Sequence, residues 1–307
     1  MKIESKCLHA GYEPKNGEPR VLPIYQSTTY KYDSTDFVGQ LFDLTAEGHM
    51  YSRISNPTVD AVEKKIAALE GGVGALCTTS GQSATFLALM NVLESGDHLV
   101  ASSTIYGGSV NLLSITFRKF GIEVSYVDPD AAAEEIEKLI RLNTKAVFGE
   151  IMANPAMNVL DIEKFASVAH AHDIPLFVDN TFATPVLCQP FRFGADIVIH
   201  STTKYMDGHA LQIGGVIVDG GTFNWANGKF PGLSTPDASY HGIVYTDTFK
   251  EAAYITKARV QLMRDLGCYP AAHSAFLLNL GLETLAVRME RHCANAQRTA
   301  EFLESQD

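Results

Sequence analysis

The sequence lacks an apolar segment long enough to cross a membrane. A membrane helix needs about 20 consecutive, predominantly apolar residues, and the uncharged stretch of residues 76–93 is interrupted by the polar segment Thr78–Ser83 and by Asn91. The first residues, Met1–Lys6, are not followed by the apolar run of a secretion signal. We therefore expect a cytoplasmic protein that does not use a membrane as a partner.

Basic residues are also scarce. Lys and Arg number 24 against 35 Asp and Glu, which gives the 307-residue chain a formal net charge of −11. A negatively charged chain without a local Lys/Arg cluster repels phosphate backbones. Nucleic acid is therefore not an expected partner. The overall composition, 46% apolar and 19% charged, is that of an ordinary globular protein, and the length of 307 residues suggests about two domains.

Paired cysteines are absent. The five cysteines are Cys7, Cys77, Cys188, Cys268 and Cys293. Because they are scattered and never have C-x-x-C spacing, they indicate neither a disulfide framework nor a zinc site. A catalytic thiol would need a histidine beside it, which the sequence does not show. His170 and His172 are two residues apart on a predicted helix and point in different directions, so no metal is expected there.

Short β-rich apolar runs alternate with helical stretches from Gly74 onward. The predicted strands are Gly74–Thr78, His98–Ser102, Ile122–Val127, Lys145–Ile151, Leu176–Asp179, Asp196–His200 and Gly214–Val218. The predicted helices between them are Gln82–Leu93, Ser109–Phe120, Ala131–Leu142 and Ile162–His172. This alternation predicts an α/β domain with a mainly parallel seven-stranded sheet flanked by helices.

Composition divides the chain into three parts. Residues 1–58 are rich in Pro, Gly, Tyr and Thr without periodicity, which predicts an extended N-terminal arm. Residues 59–255 hold the α/β domain, with a turn-rich insert at 220–250. Residues 256–307 contain an apolar stripe from Leu282 to Leu303 at helical spacing. No strands follow to complete a second core, so we expect an incomplete C-terminal α+β domain.

Ser80, Gly81 and Gln82 follow the first predicted strand and open a helix. Backbone N–H groups at a helix start form an anion site. The plainer alternative is an ordinary N-cap by Ser80, with Gly81 relieving a tight turn. The tripeptide alone does not decide between them.

Two further polar groups follow strands of the same sheet. Asp179 ends one strand, and Lys204 lies just beyond the next, within Ser201–Lys204. Each has an ordinary alternative, turn chemistry for Asp179 and a solvated surface side chain for Lys204. Because ligands bind beyond the carboxyl ends of such strands, a carboxylate, an amine and an anion cradle at one edge together point to pyridoxal phosphate.

Five motifs in this order resemble the Cys/Met-metabolism family of fold-type I pyridoxal phosphate enzymes. They are Tyr51–Thr58, Ser80–Gln82, Tyr106–Gly108, Phe177–Thr181 and His200–Tyr205. The resemblance runs from about Leu8 to the chain end. It implies a fold-type I transferase and a pyridoxal 5'-phosphate cofactor.

The resemblance also implies individual roles. Lys204 would bind the cofactor aldehyde and then move protons on the substrate, and Asp179 would keep the pyridine nitrogen protonated. Tyr106 matches the residue that stacks on the ring, and Asn154 the residue that contacts the ring hydroxyl. The phosphate would be held by these residues: Ser80, Gly81, Gln82, Ser201 and Thr203.

Tyr51 and Arg53 match a pair that the family donates to the phosphate of a neighbouring subunit. The resemblance therefore implies a homodimer that completes each site, and a tetramer overall. Tyr51 and Tyr106 would also serve as acid/base helpers near the leaving group. Without the resemblance, Tyr51 and Arg53 would be interpreted as an exposed loop pair.

Within the family, the insert 220–248 and the segment Leu8–Tyr12 favour the sulfhydrylase subgroup. Gly108 stands where methionine γ-lyases usually carry a cysteine. The implied reaction is γ-replacement on O-acetyl-L-homoserine with sulfide or a thiol, giving homocysteine or methionine plus acetate. The alternatives are elimination by a cystathionine or methionine γ-lyase, and a cofactor-binding fragment or remnant without efficient catalysis.

Two departures from the family pattern bear on that choice. The arginine that binds the substrate carboxylate in the family is expected beyond Asp307. The segment Asp207–Gln212 also differs from the small Gly/Ser/Thr-rich sequence that usually follows the lysine. We expect Leu211 and Gln212 to alter the pocket or to mark a divergent subgroup.

Overall fold

The computed structural model describes residues 1–306. Its strands are β1 (Gly74–Thr78), β2 (His98–Ser102), β3 (Glu123–Val127), β4 (Thr144–Glu150), β5 (Leu176–Asp179), β6 (Ile197–His200) and β7 (Gly215–Asp219). They form one sheet in the order β1-β7-β6-β5-β4-β2-β3. The predicted seven-stranded α/β sheet is confirmed, with strand limits within one residue of the sequence expectation.

The α-helices surround this sheet. They are α1 (Ile3–His9), α2 (Thr35–Phe42), α3 (Pro57–Glu70), α4 (Gly81–Met90), α5 (Gly107–Asn111), α6 (Phe117–Lys119), α7 (Ala133–Glu137), α8 (Ile162–Ala171), α9 (Thr184–Leu187), α10 (Pro231–Ser234), α11 (Tyr245–Phe249), α12 (Ala253–Lys257), α13 (Arg264–Leu266), α14 (Ala272–Glu283) and α15 (Leu285–Glu304). Two π-helical turns, Leu112–Thr116 and Ala258–Met263, continue α5 and α12. In residues 1–306, no helix combines the length and apolar character that a bilayer span requires.

Strand direction brings several strand ends to one edge. The neighbours β6, β5, β4, β2 and β3 pair in parallel, whereas β7 pairs antiparallel with both β1 and β6. β1 therefore runs in the same direction as the parallel group. The carboxyl ends of β1, β4, β5 and β6 share one edge with the amino end of β7.

Helix α3 is the main element that the sequence analysis missed. Its start is well specified, since the Asn56 side chain accepts from the Thr58 N–H at 3.0 Å and Pro57 occupies the first turn. Gly71 ends it in the left-handed conformation, with φ +85°. The helix is buried nearly all round, including charged residues such as Glu63 and Glu70. Those charges at core positions hide the usual amphipathic period.

Four other expectations need correction. The arm is not extended throughout, because Ile3–His9 and Thr35–Phe42 are helical. The helix expected over Ala131–Leu142 is limited to Ala133–Glu137, and the one expected over Ser109–Phe120 contains a π turn. The apolar stripe from Leu282 spans two helices that meet at Thr284. Its first members are buried, but α15 is exposed from Glu290 onward.

Candidate active site

A cavity of about 300 Å³ opens at the shared edge where β1, β4, β5 and β6 end. It collects the following sequence-predicted residues: Ser80, Gly81, Gln82, Tyr106, Asn154, Asp179, Ser201, Thr203 and Lys204. These residues come from separate segments of the chain. Glu150, Thr181, Phe182 and Ile213 also line the cavity.

The start of α4, beside the cavity, has the features both of an ordinary N-cap and of an anion site. The Ser80 hydroxyl caps α4 by accepting from the Ser83 N–H at 3.1 Å. Gly81 and Gln82 occupy the first helical positions, whose N–H groups have no intrahelical acceptor. A Cβ on Gly81 would lie 2.6 Å from the Cβ of Ser201. Only glycine therefore allows this backbone to approach the Ser201 loop so closely, as an anion cradle requires.

Asp179 ends β5 at the floor of the cavity. Its Oδ1 accepts from the Thr181 N–H at 3.0 Å and from the Thr181 hydroxyl at 2.5 Å, which orients the carboxylate. Thr181 Oγ1 in turn accepts from the Ser201 N–H at 2.8 Å. Burial raises the pKa of Asp179, while the Thr181 hydrogen bonds and the charge of His200 lower it in part.

Lys204 projects into the cavity from a turn after β6. Thr203 fixes this turn to the entry of β7, because its hydroxyl donates to the Gly214 carbonyl at 3.2 Å and accepts from the Gly214 N–H at 3.0 Å. A Cβ on the adjacent Gly215 would lie 2.2 Å from the Ser80 carbonyl oxygen. The reversed strand β7 therefore packs the lysine turn directly against the anion cradle.

Glu150 is a site residue that the sequence analysis missed. It ends β4 opposite Asp179 in the strand register and is 6% exposed. Its Oε2 accepts from the Tyr106 N–H at 2.5 Å. Burial and the Asp179 carboxylate raise the pKa of Glu150 to about 8. The available signal was an acidic residue within the apolar run Lys145–Ile151.

The donor set fits pyridoxal phosphate. The cavity offers an amine for the aldehyde, a carboxylate for the ring nitrogen, and backbone N–H groups with hydroxyls for the phosphate. The Gly81 cradle provides room for the phosphate that a side chain would fill. No cluster of three or more metal-ligating side chains occurs in the part of the chain that the structure describes.

Comparison with known proteins assigns the chain to a family. The family model "Cys/Met metabolism PLP-dependent enzyme" matches residues 4–307. The chain belongs to this family. Pyridoxal phosphate is therefore its cofactor.

Two curated enzymes are similar in sequence to this chain. The O-acetyl-L-homoserine sulfhydrylase of Leptospira meyeri is 46% identical, over 99% of this chain and 71% of the relative. The homocysteine/cysteine synthase of Saccharomyces cerevisiae (strain ATCC 204508 / S288c) is 46% identical, over 97% of this chain and 68% of the relative.

A solved structure shares the fold of this chain. It is a putative O-acetylhomoserine (thiol)-lyase from Campylobacter jejuni subsp. jejuni NCTC 11168, with a TM-score of 0.96 and 39% identity. The alignment covers 100% of this chain and 76% of that one. That crystal structure contains N'-pyridoxyl-lysine-5'-monophosphate, a covalent lysine adduct of the cofactor.

Tyr51 and Arg53 do not line the cavity of this chain. The Arg53 guanidinium lies 5.3 Å from the centroid of the Tyr51 ring, and its Nη1 donates to the Arg264 carbonyl. Tyr51 is 40% exposed. Within a single chain, this pair is therefore apart from the site that it was predicted to serve.

The divergent segment after Lys204 forms a tight turn. Asp207 is fully buried, and its Oδ2 accepts from the N–H groups of His209 at 3.2 Å and Leu211 at 3.0 Å. Gln212 is also buried and donates to the Thr202 carbonyl at 3.3 Å. Leu211 is exposed, so Gln212 supports the lysine turn from within while Leu211 faces outward.

Proposed function

We propose that this chain catalyses γ-replacement on O-acetyl-L-homoserine: sulfide or a thiol replaces acetate, giving homocysteine or methionine. The observation that carries the proposal is the convergence of Lys204, Asp179 and the Gly81 cradle in one cavity. Relatives named O-acetyl-L-homoserine sulfhydrylase and homocysteine/cysteine synthase support the substrate and the product.

When bound, the cofactor supplies an electron-withdrawing ring that stabilises negative charge at the substrate α-carbon. Asp179 would sustain that property by holding the proton on the ring nitrogen, because a buried carboxylate stabilises an adjacent positive charge. The Thr181 hydrogen bonds keep its Oδ1 occupied and so leave Oδ2 for this task. Asn154 would contact the ring hydroxyl.

Lys204 would bind the cofactor and then take the α-proton of the substrate. The same amine can afterwards return a proton, since it is held on the turn fixed by Thr203. Tyr106 lines the cavity, where its ring would stack on the cofactor and its phenol would serve the leaving group. The Glu150 carboxylate, which accepts from the Tyr106 N–H, would set the position of that ring.

The phosphate would be held by the N–H groups at the start of α4 together with the hydroxyls of Ser80, Ser201 and Thr203. We also propose that Tyr51 and Arg53 of a second copy of this chain complete this subsite. Both residues are exposed and neither lines the cavity of its own chain, which supports a donation in trans. The homodimer, a tetramer built from it and a cytoplasmic location are parts of this proposal.

Gly108 supports the sulfhydrylase over a methionine γ-lyase. A Cβ on Gly108 would lie 2.4 Å from the Cε1 atom of the Tyr106 ring. A side chain at this position is therefore incompatible with the observed placement of Tyr106. The lyase-type cysteine would require the ring to move.

The test is a product analysis with purified protein, pyridoxal phosphate and O-acetyl-L-homoserine. With sulfide, we expect homocysteine and acetate in equal amounts, and with methanethiol, methionine and acetate. Formation of ammonia and a keto acid without added thiol would instead identify a lyase. Covalent cofactor binding at Lys204 without any product would identify the non-catalytic alternative. Tyr106→Phe with full turnover would remove the proposed role of its phenol.

A further inference from the structure

The corner between α14 and α15 packs directly against the turn that bears Lys204. The two helices meet at Thr284. A Cβ on Gly281, in the last turn of α14, would lie 2.4 Å from the Met206 carbonyl oxygen and 2.3 Å from the Asp207 carbonyl oxygen. Only glycine therefore allows this helix to approach the backbone of the lysine turn so closely.

Arg288, in the first turn of α15, bridges this corner and the lysine turn. Its Nη1 donates to the carbonyl of Tyr205 at 2.7 Å, and Tyr205 directly follows Lys204. Its Nη2 donates to the Gly281 carbonyl at 2.6 Å and reaches the Met206 carbonyl at 3.5 Å. One guanidinium therefore holds two successive carbonyls after the lysine and ties them to the end of α14.

Two neighbours fix the guanidinium of Arg288 in this position. The Thr284 hydroxyl accepts from its Nε at 3.0 Å. On the turn itself, a Cβ on Gly208 would lie 2.3 Å from Nη1 of Arg288. The guanidinium thus lies against backbone that a side chain would block. Its planar set of N–H donors has a fixed geometry, which suits several carbonyls at once.

The side chain of Tyr205 provides a second contact between α15 and the turn. His292 follows Arg288 by one helical turn, and its ring centroid lies 5.2 Å from that of Tyr205. The Tyr205 ring also lies 5.8 Å from the ring of Phe182, which lines the cavity. Contacts therefore run without interruption from α15 to the cavity wall.

Helix capping accounts for only part of this arrangement. The Gly281 carbonyl is one of the last in α14, where a side-chain donor is expected. The carbonyls of Tyr205 and Met206 belong to neither helix, and a cation in the first turn of α15 is unfavourable for the dipole of that helix. Backbone N–H groups donate to the carbonyls of Thr202 and Lys204. The guanidinium supplies donors for the part of the turn that follows the lysine.

We propose that Arg288 is a positioning residue for Lys204: by holding the carbonyls of Tyr205 and Met206, it sets the position of the lysine amine relative to the cofactor aldehyde. This inference rests on the proposed function, because it takes Lys204 as the residue that binds the cofactor. Arg288 does not line the cavity. It acts through the backbone of the turn.

The test compares two ligands that differ only in whether they can bond to Lys204. The aldehyde of pyridoxal phosphate condenses with the lysine amine to a C=N bond and releases one water molecule. 4'-Deoxypyridoxine 5'-phosphate has a methyl group in place of the aldehyde and does not form this bond. Calorimetry on the cofactor-free full chain measures both affinities. Their ratio reports the bond to Lys204, whereas effects on the ring, the phosphate or the fold change both affinities alike.

We expect Arg288→Ala to lower this ratio by about tenfold, because an amine on a loosened turn has a lower effective concentration at the aldehyde. Arg288→Lys should lower it by about threefold, since an ammonium group lacks the planar fork that holds several carbonyls. Lys204→Ala gives the limit in which the preference for the aldehyde is lost. Arg288→Lys keeps the inference testable if Arg288→Ala does not fold.

Arg298→Ala is the matched control, because Arg298 is an exposed arginine on the same helix. This variant should leave the affinity ratio unchanged. An unchanged ratio in folded Arg288→Ala, or a loss of equal size in Arg298→Ala, would overturn the inference. If Arg288→Ala does not fold, an unchanged ratio in Arg288→Lys overturns it. If wild-type protein shows no preference for pyridoxal phosphate over the methyl analogue, the proposed function fails instead.

Discussion

The cavity and the surface around Tyr51 and Arg53 differ in how much of their predicted chemistry one chain provides. In the cavity, amine, carboxylate and anion cradle meet within a single chain. At the surface, two residues predicted to bind the same phosphate are exposed, and Arg53 contacts the Arg264 carbonyl instead. The difference supports a site whose proposed covalent and ring-binding parts come from the sheet edge of one chain. The remaining phosphate contacts are expected from a second chain.

The largest effect is expected from a substitution in the cavity. Asp179→Asn removes the charge that holds the ring-nitrogen proton but keeps the shape of the side chain. We expect turnover to fall by about 100-fold or more, because the developing negative charge loses its stabilisation. Covalent attachment of the cofactor to Lys204 should persist. Steady-state kinetics together with mass spectrometry of the borohydride-reduced protein would measure both quantities. Unchanged turnover would contradict the role of Asp179.

The role of Arg53 at the surface is tested by mixing an impaired variant with an inactive one. Arg53→Ala alone is expected to lose at least about tenfold in turnover at limiting cofactor, because a charge-assisted phosphate contact is removed. Lys204→Ala alone should be inactive. If Arg53 acts in trans, a mixed dimer contains one site with both residues intact. Subunit exchange between equal amounts of the two should then restore about one quarter of wild-type activity.

Each variant after the same exchange procedure by itself is the control for that experiment. No restoration in a mixture shown to contain mixed dimers would mean that Arg53 serves its own chain. The donation of Arg53 to a second chain would then be ruled out.

A smaller effect is expected inside the cavity at Gly108. Gly108→Ala adds a Cβ that would lie 2.4 Å from the Tyr106 ring. The ring must move, so we expect a several-fold loss of cofactor affinity with little change in the melting temperature. Gly107→Ala is the matched control, because nothing lies within 4 Å of a Cβ at that neighbouring position. Equal effects of the two substitutions would remove the proposed role of Gly108 in placing Tyr106.

The smallest effect concerns the stability of the cofactor-free protein. Because the pKa of Glu150 rises from 4.5 to about 8, the folded state binds this proton more tightly than the unfolded chain. The resulting stabilisation is complete below pH 4.5 and is lost as the pH rises toward about 8. Gln does not titrate. The melting temperature of Glu150→Gln relative to wild type should therefore rise by a few degrees across this range.

The opposite trend, or none, would show that Glu150 is not buried beside a charged Asp179. Glu137→Gln is a suitable control, since Glu137 is largely exposed and the only hydrogen bond of its side chain in residues 1–306 is with His172.

The strands were predictable because their signal is local. Each is a short apolar run between turn residues, and its limits shifted by one residue at most. The reversal of β7 was not predictable, since direction depends on pairing with β1 and β6, which are far away in sequence. Helix α3 was missed because buried charges such as Glu63 interrupt its apolar period.

The same distinction applies to the site. Asp179, Lys204 and the Gly81 cradle each follow a strand, so the sequence order already places them at one edge. Glu150 also ends a strand, but only the register of β4 against β5 places it opposite Asp179. The remote position of Tyr51 and Arg53 depends on the path of the arm, for which the sequence contains no periodic signal.

The most direct test of the account is the visible absorption spectrum of the purified chain with pyridoxal phosphate, before and after borohydride, beside Lys204→Ala. The account predicts a visible band that requires Lys204, that borohydride abolishes, and that changes when O-acetyl-L-homoserine is added. A folded wild-type protein without this band, or a band that persists unaltered in Lys204→Ala, would contradict the assignment of the cavity.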